Sequence, residues 1–246
     1  MHVDGARGSG FFLTLEGPEG SGKSTQARRL ADSLTAAGRR CVVTREPGGT
    51  RLGERVREIL LHAADLSPVP AADALLFNAA RAQLVAEVIE PALERGEVVI
   101  CDRFADSTLA YQGYGAGQPL ESLRRLNRFA VGDLEPDLTV LIDLPVEVGL
   151  GRKLGGEITR FEERVDVDFH RRVREGFLAL AAAEPARFVV IDGRQAAAIV
   201  EASILETVEK RLAAKAQLTA VNTGRGTDGS AAAASEPDRD SLRMNR

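Results

Sequence analysis

The 246-residue chain is 44% hydrophobic, enough for the core of one α/β domain, with only 4% aromatic residues and no tryptophan. Its formal charge of −4 excludes a general attraction to nucleic acid or anionic lipid, so the 32 basic residues matter only where they converge. No apolar run approaches the roughly 18 residues that span a bilayer, and the polar start MHVDGARGSG is unlike a secretory signal; a soluble, cytoplasmic protein without a membrane partner is expected.

Five short β-branched runs read as strands: FFLTLE (11–16), CVVT (41–44), EVVIC (97–101), LTVLID (138–143) and FVVID (188–192). Helical patterns separate them. STQARRLADSLTAAG ends at Gly38, LGERVREILLHA follows the second strand, and AADALLFNAARAQLVAEVIEPALERG carries Pro91, which should kink or divide it. Further helical periods cover 119–132, about 165–183 and 195–214. Continuous apolar strands alternating with helices predict a parallel sheet covered on both faces. Cys41 and Cys101, the only cysteines, border apolar runs and read as buried thiols. Residues 1–10 read as a flexible start, 11–215 as the folded domain, and 216–246 as a disordered tail poor in large apolar residues.

Directly after the first strand comes GPEGSGKST, in which Gly17, Gly22, Lys23 and Ser24 fit G-x-x-x-x-G-K-[ST]. Residues Gly17, Pro18, Glu19, Gly20, Ser21, Gly22, Lys23, Ser24 and Thr25 are thus the candidate triphosphate seat. Backbone N–H groups line it, a helix begins at its end, Lys23 reaches toward the β- and γ-phosphates, and the Ser24 hydroxyl is a Mg²⁺ ligand. A second oxygen ligand is expected from Asp102, which closes a strand and is followed at once by Arg103. Asp143 also closes a strand but precedes Leu144-Pro145, where it would serve as a helix cap.

An anionic acceptor needs cations away from Lys23. Arg45, in TREPGGT, is either a phosphate clamp or one exposed arginine in a structural turn. In DRFADSTLAYQG, helical spacing gives Ser107, Thr108 and Tyr111 a common face beside Arg103 and Gln112, suited to a sugar and base. Phe77 alone reads as core; Arg81, one turn on, would be a poor core residue, which favours a base-stacking ring with a hydrogen-bonding neighbour. GRKLGGEITRFEERVD (151–166) is either a solvated charged loop or a lid, at about 151–163, whose Arg152, Lys153 and Arg160 close over the triphosphate.

With LEGPEGSGKSTQ, TREPGGT, LLFNAARAQ, DRFADSTLAYQG, PDLTVLIDLP and TRFEERVDVDFHRRVREGF in this order, the chain resembles bacterial thymidylate kinases, members of the nucleoside monophosphate kinase superfamily, from about Phe11 to Lys215. The resemblance implies a P-loop kinase fold with a five-stranded parallel sheet in the order 2-3-1-4-5, a homodimer, and transfer of the γ-phosphate of ATP, with Mg²⁺, to dTMP. It implies that Glu19 faces the acceptor's 3′-hydroxyl and that Arg45 and Arg103 hold its phosphate. By the same resemblance Phe77 stacks on thymine, Arg81 donates to a thymine carbonyl, and Ser107, Thr108 and Gln112 lie along the base edge. Tyr111 packs against the sugar's C2′ face, and Arg194, in Asp192-Gly193-Arg194, lies near adenine. Some members carry an Arg where this chain has Gly20, so here the catalytic cations come from the lid, Arg160 foremost. The lid is less basic than is common in the family, with Thr159 and Gly155 at positions that often hold Asp and Arg. The competing readings are a kinase for another pyrimidine monophosphate, such as dUMP or CMP, and a nucleotide-dependent switch, against which no Asn-Lys-x-Asp motif is present.

Overall fold

The computed structural model describes residues 10–63, 65–153 and 167–224, with the backbone alone for 153 and 219–224. Five strands, β1 (Phe11–Glu16), β2 (Cys41–Arg45), β3 (Val98–Asp102), β4 (Leu138–Asp143) and β5 (Phe188–Asp192), form one parallel sheet in the order β2-β3-β1-β4-β5. The strand order expected from the resemblance is the observed one.

Alternation along the strands divides the core. Phe11, Leu13, Leu15, Val98, Ile100, Leu138, Val140 and Ile142 pack against helix α1 (Lys23–Ala36) and the C-terminal helix α9 (Ala197–Gly224). Val200, Ile204, Val208 and Leu212, each four apart, supply the buried stripe of α9. On the opposite face Phe12, Val99 and Cys101 meet Leu84, Val85, Ile89 and Phe104, while Leu141 and Phe188 meet Leu109, Phe169, Val173 and Phe177. Cys101 is a buried thiol as expected, whereas Cys41 is only half-buried.

The helices on this second face are α2 (Arg51–Arg57, running on through a π-helical turn at Glu58–His62), α3 (Pro70–Leu84), α4 (Glu90–Glu94), α5 (Ala105–Thr108, continued by a π-helical stretch Leu109–Gly115), α6 (Leu120–Val131), α7 (Val146–Lys153) and α8 (Val167–Ala183). Pro91 divides the long helix as its ring demands: a π-helical turn, Val85–Ile89, separates α3 from α4, where Pro91 sits in the first turn and needs no N–H partner.

Two expected boundaries move. Gly10, assigned to the flexible start, is packed: a Cβ there would lie 2.5 Å from the Leu93 carbonyl, and its own oxygen accepts from Lys215 Nζ at 2.7 Å. Helix α9 does not stop near 214 but runs to Gly224. Lys215 anchors it through Asp137 (2.7 and 2.6 Å), and the strong helix formers around it continue the turn outward. Residues 1–9 and 225–246 lie outside the described residues, as does most of the expected lid. Of that lid, 151–153 belong to α7 rather than to a loop.

Candidate active site

Among the described residues, the candidate phosphate ligands Gly17 to Thr25, Arg45 and Arg103 sit at the carboxyl edge of the sheet, where the connection after β1 changes direction. Residues Gly17 to Gly22 leave β1 and wrap back into α1, which begins at Lys23. Lys23 is 6% exposed, and its Nζ donates to the carbonyls of Gly17 (3.0 Å) and Pro18 (2.9 Å) and to Ser21 Oγ (3.2 Å). These acceptors stand where incoming phosphate oxygens would compete. Burial, with Arg103 nearby, lowers the Lys23 amine to about 8. The Ser24 hydroxyl donates directly to Asp102 Oδ2, so the two expected metal ligands lie together. A hydroxyl and a carboxylate are a hard oxygen pair, fitting Mg²⁺ that takes its remaining ligands from water and phosphate.

Arg103 is the only non-glycine residue among those described with positive φ, at 72°. A left-handed arginine persists only where its surroundings over-determine it. Here its N–H donates to the Leu15 carbonyl (3.0 Å), its carbonyl accepts from Cys101 Sγ (3.0 Å), and the next N–H, of Phe104, donates to Glu16 Oε1 (2.8 Å). The guanidinium turns toward the phosphate loop. One amino group donates to the Gly17 carbonyl (3.1 Å) and Ser107 Oγ (3.3 Å); the other donates to Glu19 Oε1 (2.9 Å) and Tyr111 OH (3.0 Å). Tyr111 in turn donates to the same Glu19 oxygen at 2.8 Å, and its ring lies 4.9 Å beneath the guanidinium carbon. The phosphate loop and Arg103 thus share one hydrogen-bonded triangle with Tyr111.

The cleft in front of this triangle encloses about 350 Å³ and is lined by Glu19, Gly20, Lys23, Ser24, Arg45, Arg57, Asp102, Arg103 and Arg152, among others. Arg45 Nη2 donates to both carboxylate oxygens of Glu54 at 3.1 Å, and Glu54 Oε1 also accepts from Gly49 N (2.9 Å). A phosphate reaching Arg45 must share it with that carboxylate. Arg152 Nη2 donates to the Gly193 carbonyl (3.2 Å), and the next residue, Arg194, is paired with Asp192 (2.9 and 2.8 Å). Asp143, expected as a cap, is held instead by Arg174 in a bidentate pair (2.7 and 2.8 Å). Arg160 lies outside the described residues, and of Lys153 only the backbone is described.

Arg81 corrects the expectation most clearly. Its guanidinium is 1% exposed and ion-paired with buried Glu46 at 2.7 Å. It also donates to Asn78 Oδ1 (3.2 Å), Asn127 Oδ1 (2.9 Å), the Phe104 carbonyl (3.1 Å) and Thr108 Oγ1 (3.0 Å), which uses all five N–H groups. An arginine is a good core residue when every donor is met. Donation to a base would require one of these bonds to be shared. Thr108 points to Arg81 rather than along the face of Ser107 and Tyr111, both of which touch Arg103. The Ser107 proton is committed to Glu16 Oε2 at 2.6 Å, leaving that hydroxyl an acceptor toward Arg103. Gln112 is buried in the π-helical stretch, and Phe77 is a half-buried ring packed against Val56, Leu60 and Ala80.

A sequence model of the thymidylate kinase family matches residues 15–204. The chain belongs to the thymidylate kinase family. It is 51% identical to the thymidylate kinase of Geobacter sp. (strain M21) over 228 residues, covering 87% of this chain and 99% of that protein. It is 54% identical to that of Deinococcus radiodurans over 203 residues, covering 82% and 98%. The crystal structure of the thymidylate kinase from Ehrlichia chaffeensis superimposes with a TM-score of 0.65 at 36% identity, covering 81% of this chain and 98% of that one.

Sequence reading passed over several residues at this thymidylate kinase cleft. Arg57 donates to the Pro47 carbonyl (3.0 Å) beside Arg45; its signal was a cation on the inward side of α2, between Gly53, Val56 and Leu60. Glu46 and Glu16 left no local signal, because each looks like a charged strand end and acquires its partners from distant segments.

Glu16 is fully buried, and desolvation, with Asp106 nearby, raises its carboxyl to about 7 against the partial opposition of Arg103. A folded-state value above the unfolded one costs nothing below about pH 4.5, where both states are protonated. The cost grows as pH rises and is complete above about 7. Glu16→Gln, which removes the charge, is therefore expected to gain stability over wild type between pH 5 and 8. The gain is on the order of 2–3 kcal/mol, or roughly 5–10 °C in Tm. Thermal unfolding of both proteins across that range checks this; a gap that does not change with pH refutes it.

Proposed function

We infer that this chain transfers the γ-phosphate of ATP to dTMP, forming dTDP and ADP. Family membership supports the reaction. The observation that carries the site assignment is the triangle of Glu19, Arg103 and Tyr111, which joins the donor loop to the acceptor side of one cleft.

An acceptor phosphate oxygen attacks the γ-phosphorus in line, and ADP leaves. The nucleophile is already anionic, so no side chain needs to act as a strong base. The protein's task is to cancel repulsion between two polyanions. Lys23 and the loop N–H groups hold the donor phosphates, while Arg103, with Arg45 and Arg57, holds the acceptor phosphate. Ser24 and Asp102 would hold Mg²⁺, which when bound neutralises charge on the donor phosphate oxygens. Arg152, with Arg160 and Lys153 beyond it, supplies cation on the ATP side, and Arg194 borders the adenine end. Glu19 takes the 3′-hydroxyl, and Tyr111 packs on the sugar. Phe77 stacks on the base, with Ser107, Thr108, Gln112 and Arg81 forming or supporting the wall around it. The kinase domain extends from Gly10 through α9.

A homodimer is part of this reading. Helices α2, α3 and α6 pack side by side, and each turns a large apolar side chain outward: Leu52, Leu75 and Phe129, the last 90% exposed. Among the described residues no helix is long and apolar enough to cross a membrane.

The test is ADP release with dTMP, dUMP, CMP or no acceptor. Turnover fastest with dTMP and negligible without an acceptor is expected; acceptor-independent release refutes the kinase reading. One methyl group separates thymine from uracil, worth only about 1–3 kcal/mol in a pocket, so slower dUMP turnover is expected too. Phe77→Ala should raise the KM for dTMP roughly tenfold to a hundredfold with little change in kcat, reflecting about 1–3 kcal/mol of lost stacking. An unchanged KM returns Phe77 to the cluster of Val56, Leu60 and Ala80.

A further inference from the structure

The tip of the phosphate loop and α7 touch backbone to backbone. A Cβ on Gly20 would lie 2.1 Å from the Gly149 carbonyl oxygen and 2.9 Å from its Cα, and a Cβ on Gly149 would lie 2.2 Å from the Glu19 carbonyl oxygen. Cβ atoms do not come this close to other atoms, and both obstacles are main chain, which cannot swing aside. The loop position is doubly restricted, since Gly20 also has φ +68°. This chain therefore has no room for a side chain at position 20. Gly149 is a costly residue inside a helix, where alanine serves better. Two residues along the same helix, Gly151 has open space around it. Packing demands one glycine of α7 and not the other.

The contact joins two parts of the cleft. On its loop side is Glu19, whose carboxylate gathers Arg103 and Tyr111. On its helix side, three residues further along α7, is Arg152, which lines the cleft and is steadied by the Gly193 carbonyl. We propose that Gly149 is a positioning residue for phosphoryl transfer: by letting α7 rest on the Glu19–Gly20 backbone it sets Glu19 and Arg152 relative to each other across the cleft. It touches no reacting atom. The inference rests on the kinase reading of the cleft, and deepens it by naming what holds the loop in register. A displacement near 1 Å at such a site can cost about a hundredfold in rate.

The test compares Gly149→Ala with Gly151→Ala in the full chain, by turnover of ATP with dTMP, ADP affinity by titration calorimetry, and thermal unfolding. Gly151→Ala should stay within about twofold of wild type in kcat and ADP affinity. Gly149→Ala should lose at least about tenfold in kcat and bind ADP several-fold more weakly, with Tm within a few degrees of wild type. Identical behaviour of the two variants overturns the proposal. So does a loss in Gly149→Ala that tracks only the fraction of folded protein. Should Gly149→Ala not fold, Gly20→Ala presses on the same contact from the loop side, and wild-type kinetics there overturn it equally. The ADP titration reads the loop whatever the acceptor is, so a wild-type chain inactive on dTMP would sink the acceptor assignment without deciding this comparison.

Discussion

Replacing Arg103 with alanine is expected to lower kcat/KM for dTMP by on the order of 10³-fold or more, while ATP affinity changes little. A single arginine at a phosphoryl-transfer centre is worth about 10³ to 10⁵ in rate, and Arg103 is the cation most completely fixed in this cleft. Its backbone is held in the left-handed region from both sides, and its two amino groups engage different partners. Lysine keeps the charge but not the fork, so it cannot reach Gly17 and Ser107 with one arm and Glu19 and Tyr111 with the other. Arg103→Lys should therefore recover only a small part of the loss. Steady-state kinetics with dTMP varied at saturating ATP measure both variants. Activity within about tenfold of wild type in Arg103→Ala would remove Arg103 from the acceptor site.

The second large effect is on folding. Arg81→Met is expected to destabilise the protein by about 3–5 kcal/mol, because it leaves the Glu46 carboxylate buried and unpaired. That corresponds to a fall in Tm of roughly 10 °C or more. Burial already raises the Glu46 carboxyl, and Arg81 is what opposes that shift. Losing Arg81 should push it higher still, so the variant should suffer more at pH 8 than at pH 5. Combining Arg81→Met with Glu46→Leu should restore part of the stability, since the uncompensated charge is gone, although Asn78, Asn127 and Thr108 still lose a partner. Denaturant or thermal unfolding of the two single variants and the pair decides the matter. If Arg81 served only the base, Arg81→Met would keep its Tm and show only a raised KM for dTMP.

These two arginines show how unevenly the site could be read from residues alone. Arg103 follows an aspartate at a strand end, a place where open α/β sheets present ligand-binding groups, and its position in the cleft was foreseen. Its left-handed backbone and its link to Glu19 are not legible there, because Leu15 and Glu16 of β1 hold the one and the loop 84 residues earlier in the chain provides the other. Arg81 stands one helical turn from Phe77, and the spacing alone makes it a poor core residue, whereas it is buried with its donors met. A buried arginine looks wrong in a helix pattern until Glu46, Asn127 and Phe104 are brought around it.

By itself the sequence determined the elements and the donor seat. Strands, helices and the phosphate loop depend on local periodicity, on glycines and on short fixed spacings, all of which are written in contiguous residues. The hydrogen bond of Ser24 to Asp102, the burial of Glu16 and the contact of Gly20 with Gly149 were decided only by tertiary structure. Each depends on which segments the sheet order sets side by side. Charge and desolvation at a site are sums over such neighbours, and no single stretch of chain contains them.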